Sequence, residues 1–274
     1  MLARWIDPVF LGVVAASSIA ANLAMPELRI YIHTAVYLLA GLLCVEIARD
    51  YDHKLMRLSW VLFSGEAFIL ALHFPLATPV ATAWLGAAPR DHLALAMVQL
   101  GLSSLLAGMV VTWWQLRQFG LGFHARVMDW AAVGAILTGM AVFFGLSWQG
   151  GWMFPMMAGA RVLLFLAAAV SILLNRFCQQ MGGGEIARVI RFIIAYVATR
   201  CVMNLVFAVN KTWAPVALEL EDLLNVVFPW IFLFGVALRA RVAVRAKAEL
   251  ARVANPAAWN PRRFTGWDGG RPFY

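Results

Sequence analysis

Charge is scarce in this chain. Charged residues fill 13% of its 274 positions and hydrophobic residues 63%, against about 25% and 45–50% in ordinary soluble domains. Long polar stretches are missing as well. Apolar runs of about 20 residues, the length that crosses a hydrocarbon core, recur along the whole sequence. No gap between them is wide enough for a soluble catalytic domain, so any chemistry has to sit inside a helical bundle or in short loops. Cysteine is limited to Cys44, Cys178 and Cys201, which lack the paired spacing of metal or redox sites and are expected as free thiols.

Signatures of chemistry are also missing. No zinc-protease or nucleotide-binding motif is present. "MGGGE" at 181–185 lacks the Lys-Ser/Thr of a phosphate loop and reads as a turn. "DYDHK" at 50–54 reads as a solvated turn rather than a metal loop. Ser64 and His73 lie nine residues apart on one helix, a poor arrangement for a Ser–His nucleophile, with no oxyanion loop nearby. Nothing assigns an enzymatic activity, no metal site is expected, and no basic fold module points to nucleic acid.

What is present is a membrane pattern. The apolar runs predict an all-α, polytopic transmembrane helix bundle over 1–240, with about eight spans near 8–25, 28–48, 58–78, 93–115, 128–148, 153–175, 189–209 and 222–240. Breakers such as Pro26, Pro79, Pro89, Gly150-Gly151 and Pro215 fall between them. Asp7 interrupts the basic flank that a signal peptide would carry, so the first run reads as a retained span. An even number of spans puts both ends of the chain on one side. Seventeen of the 22 Lys and Arg residues fall in the N-terminal segment, the even-numbered loops and the C-terminal region, and only Arg29, Arg90 and Lys211 in the opposite loops. The positive-inside rule then places both termini in the cytoplasm, with the bundle in the cytoplasmic (inner) membrane. Beyond the last span, 241–254 reads as a basic interfacial helix. Residues 255–274, rich in Pro, Gly, Arg and aromatics, form a tail that cannot build a core. That tail concentrates Trp259, Phe264, Trp267 and Tyr274 beside Arg262 and Arg263, the residue types that protein interfaces favour. It is therefore also a candidate docking segment.

A few polar residues interrupt the apolar runs. Arg200 sits at the centre of "IIAYVATRCVMNLVF", where insertion costs about 2.5–3.5 kcal/mol and a functional role is the default hypothesis. With a helix rising 1.5 Å per residue, Arg161 and Arg200 lie about eight and about nine residues inside the same side of the membrane, hence at one level. Glu66 is near that level on another span, so it is expected to pair with one of the two arginines. Such a network either locks helices together or receives an anionic or carbonyl-bearing ligand. Tyr196, Arg200 and Asn204, spaced i, i+4, i+8, share a helix face. This stripe either hydrogen-bonds neighbouring helices or lines a quinone headgroup pocket. His33 and His73, equidistant from His53, lie at similar depth on adjacent spans. They are either separate histidines satisfied by hydrogen bonds or a pair that ligates a b-type haem.

From the sequence, the expected function is an integral membrane subunit of a larger assembly, redox-linked through a quinone or b-type haem. Its partners would be the lipid bilayer and other membrane-protein subunits, reached through helix faces and the tail. The alternative is a small-solute or ion transporter or channel that works through Arg161, Arg200 and Glu66.

Overall fold

In the computed structural model, residues 7–51, 53–118, 126–146, 153–180, 185–212 and 218–254 are described. All regular structure among them is helical. Eight long helices coincide with the eight apolar runs: α1 (Pro8–Ala24), α2 (Arg29–Arg49), α3 (Lys54–His73), α5 (Ala87–Gln118), α6 (Val127–Leu146), α7 (Met153–Gln180), α8 (Glu185–Thr212) and α9 (Leu218–Ala254). A short α4 (Pro79–Leu85) stands between α3 and α5. Five segments, Pro26–Arg49, Lys54–Leu76, Ala87–Gln118, Ala158–Gln180 and Asp222–Val242, are long and apolar enough to cross a membrane, and they suggest a membrane-embedded protein.

Local chemistry explains where the helices begin and end. Asp7 caps α1, its carboxylate accepting the Val9 and Phe10 N–H groups, and Pro8 occupies the first turn, where a missing N–H costs nothing. Thr78 caps α4 ahead of Pro79, and Gly86, at φ 78°, closes it in a backbone region open to glycine. Asp129 accepts the Arg126 N–H at the start of α6. No breaker separates the last apolar run from the basic stretch after it, so α9 runs unbroken for 37 residues to Ala254, with Pro229 inside it.

The helices pack in a closed circuit. α2 lies against α3, α3 against α5, α5 against α7, α7 against α8, α8 against α9, and α9 against α2. α1 rests mainly on α9 outside this ring, and α6 rests on α7. Small residues set the tight seams. Ser64 donates to the Gly41 carbonyl across α2 and α3. A Cβ at Gly235 would fall 2.6 Å from Cβ of Phe192, so α9 approaches α8 closely only because that position is glycine. The buried apolar residues of all six ring helices form one continuous core.

Candidate functional site

Near the middle of the ring, polar side chains of α2 and α3 meet those of α8, which packs chiefly on α7 and α9. Glu66 comes from α3, Tyr196 and Arg200 from α8, and Tyr37 from α2. Glu66, Tyr37 and Tyr196 are fully buried, and Arg200 is 6% exposed. The Arg200 Nη1 donates to Glu66 Oε1 at 2.7 Å and to the Tyr196 hydroxyl at 3.0 Å. The Tyr196 hydroxyl donates to the same Glu66 oxygen at 2.8 Å. Tyr37 and Tyr196 join their hydroxyls at 3.1 Å. Valence fixes the direction of that last bond: Tyr196 has one proton and spends it on the carboxylate, so Tyr37 is the donor. The result is an oriented chain from Tyr37 through Tyr196 to Glu66, with Arg200 holding its far end.

Aromatic rings enclose the chain. Phe74 stacks on Tyr37 at 5.7 Å, while Phe228 and Phe232 of α9 pack on Tyr196 at 5.9 and 4.9 Å. The guanidinium lies over the Tyr196 and Phe228 rings, a favourable place for a desolvated cation. The ion pair is nevertheless only half satisfied. It is made by one nitrogen and one oxygen, and both Glu66 Oε2 and Arg200 Nε are buried without a protein partner. A permanent buried lock is strongest when both forks are engaged and the remaining polar atoms are bonded.

The other residues singled out from the sequence take different places. Glu66 pairs with Arg200, whereas Arg161 stands half-buried on α7 with interactions of its own. Asn204 donates to the Arg200 main-chain carbonyl one turn back at 2.9 Å and so serves its own helix. His33 and His73 come to one aromatic neighbourhood, each edge-on to Phe74, at 4.8 and 5.6 Å. His33 is fully enclosed, and neither ring nitrogen has a protein partner. Trp259, Arg262, Arg263, Phe264, Trp267 and Tyr274 lie outside the described residues. Tyr37 is the member that sequence reasoning missed. Its only signal is its position one turn along α2 from His33.

A crevice of about 40 Å³ lies below the network, lined from α3, α5, α8 and α9 by residues including Ser59, Phe63, Thr112, Ile193 and Arg239. Phe63 and Ile193 of this lining stand three residues, less than one turn, from Glu66 and Tyr196. Arg239 of α9 donates to the Tyr51 hydroxyl and covers that ring at 5.0 Å, while Arg57 donates to the Tyr51 carbonyl. A larger cavity of about 300 Å³ lies between α1, α2 and α9, lined mainly by apolar residues such as Leu11, Val36 and Trp230. It is an apolar slot away from the charges. Among the described residues no group of three or more His, Cys, Asp or Glu converges as a metal site. Comparison of the chain with protein-family models, with curated proteins and with solved structures returns no match.

Proposed function

We propose that this chain is a multi-span protein of the cytoplasmic membrane, with eight spans and both termini cytoplasmic, that carries a small anion through its helical ring by way of Arg200. One observation carries the reading: an ion pair that joins α3 to α8 inside the ring uses only one arm of each partner. A cation held this way already presents an anion-binding group in a desolvated setting, where charge recognition is strong. A small crevice whose lining includes Arg239, and whose Phe63 lies three residues from Glu66, supports an approach route for negative charge. The test is tracer uptake of nitrate into liposomes carrying the purified protein. Uptake above protein-free liposomes is expected, with at least a tenfold loss in Arg200→Lys, which keeps the charge but loses the fork. Liposomes that take up no more nitrate with the protein than without it would reject the proposal.

A second reading has its own support: membership of a larger membrane assembly. Among the described residues α6 packs chiefly on α7, and a Cβ at its Gly134 or Gly139 would meet nothing within 4 Å. With the aromatic and arginine-rich tail, this leaves surface for a neighbouring subunit. Deleting Asn255 to Tyr274 is expected to leave insertion intact and to reduce co-purification of partners. Unchanged co-purification would count against the reading.

A further inference from the structure

We propose that the ligand of Arg200 is a small monovalent oxyanion that binds together with one proton, Glu66 releasing the guanidinium as its carboxylate takes that proton. The inference rests on the anion-carrier reading and adds the substrate class and the coupling. Glu66 is itself a monovalent carboxylate seated on Arg200 at 2.7 Å, so the geometry that holds it would hold a free oxyanion of the same size and charge. The charge balance then dictates the coupling. With Glu66 ionised the pair is neutral. An anion arriving alone would leave a net negative charge buried among Phe74, Phe228 and Phe232, and a proton arriving alone would leave Arg200 uncompensated. Either state is strongly disfavoured in an apolar interior. Only the joint arrival of one anion and one proton keeps the site neutral.

The oriented hydroxyl chain supplies the last two transfers of the proton, from Tyr37 to Tyr196 and from Tyr196 to Glu66. A proton reaching the Tyr37 oxygen lets Tyr37 pass its own to Tyr196, and Tyr196 passes its own to Glu66 Oε1. Each step breaks one O–H bond and forms another. Both hydroxyls end with one proton, and the carboxylate becomes a neutral acid. His33 stands one turn from Tyr37 on the side toward Arg29, enclosed by the same Phe74 and Phe228 rings. Other titratable groups around the pair are Cys44 on α2, His73 on α3, and Cys201 on α8. From α5, Gly101 approaches the Glu66 Cγ, and α9 presents Phe228 and Phe232, so neither of these contacts adds a charge.

Nitrate is the right probe, because it stays unprotonated in water at ordinary pH and any co-bound proton must sit on the protein. Calorimetric titration of the full-length, detergent-purified protein with nitrate should show affinity rising about tenfold for each pH unit lowered, as linkage to one proton requires. Glu66→Gln, which mimics the neutral acid, should bind nitrate at the wild-type low-pH affinity with no pH dependence. Nitrate uptake by wild-type liposomes should be electroneutral, unchanged by an imposed membrane potential and accompanied by one internalised proton per anion. Wild-type binding that does not vary with pH, or uptake that tracks the membrane potential, overturns the coupling while leaving an Arg200 anion site standing. No nitrate binding by either protein at any pH overturns both the coupling and the reading beneath it. Should Glu66→Gln fail to fold, the wild-type flux and its proton count still decide the matter.

Discussion

Tyr196 holds the network together because its hydroxyl accepts from Arg200 and Tyr37 and donates to Glu66. Removing it leaves Tyr37 without an acceptor and Glu66 with one donor fewer, whereas removing the Tyr37 hydroxyl leaves every other partner bonded. Tyr37→Phe is therefore expected to cost about 1 kcal/mol, the usual net value of one hydrogen bond, and Tyr196→Phe clearly more, since it strands buried polar groups. The ion pair follows a steeper rule. Arg200→Leu and Glu66→Leu should each lose about 3–5 kcal/mol by leaving the other charge buried alone, and the double variant should recover part of the loss. Thermal unfolding of the four proteins in one detergent checks this, and strictly additive losses would mean that the two side chains are not coupled. The partnership itself was legible in the sequence, because a buried carboxylate and a buried guanidinium at one depth have few other ways to be neutral. Asn204 was not legible in the same sense. Its place on the Tyr196–Arg200 face left open whether it would reach outward or bond its own helix, and it bonds the Arg200 carbonyl.

At the scale of elements, close approach between helices separates necessary glycines from incidental ones. Gly235 on α9 faces Phe192 of α8 so tightly that a Cβ would fall at 2.6 Å, while Gly134 on α6 has open space around it. Gly235→Leu should push α9 from α8, displacing Phe228 and Phe232 from Tyr196, and so lower the melting temperature and abolish anion uptake. Gly134→Leu should leave monomer stability unchanged or slightly raised, since leucine is the better helix former. Equal stability of the two variants in a melting assay would show that the α8–α9 seam is looser than it stands here. Helix positions were readable beforehand because runs of about 20 apolar residues carry their own boundaries in proline, glycine and capping residues. The length of α9 past the last span is likewise local, resting on helix-forming Ala, Arg and Lys with no breaker before Asn255.

For the whole molecule, the distribution of basic residues sets a testable orientation. Reporter fusions within 50–57 and at 178–180 should report cytoplasmic, and fusions within 211–221 should report the far side, given the excess of Lys and Arg at one set of helix ends. A cytoplasmic signal from 211–221 would change the number of spans or reverse the orientation. The structure bears on this order of parts through the salt bridge between Arg29 and Asp222 at 2.9 Å, which ties the start of α2 to the start of α9 at one end of the bundle.

The sequence by itself determined the helical class, the positions of eight long helices and the need of Glu66 for an arginine, because these follow from composition, local periodicity and the cost of burying a lone charge. Only the tertiary structure decided that Arg200 rather than Arg161 meets Glu66, that Tyr37 completes the chain, and that His33 is enclosed beside Phe74. Depth along a helix can be counted from residue numbers. The direction a side chain faces within a bundle depends on which helices become neighbours. That is settled by the joint packing of seams such as Gly41 on Phe68 and Gly235 on Phe192, and no single span encodes it.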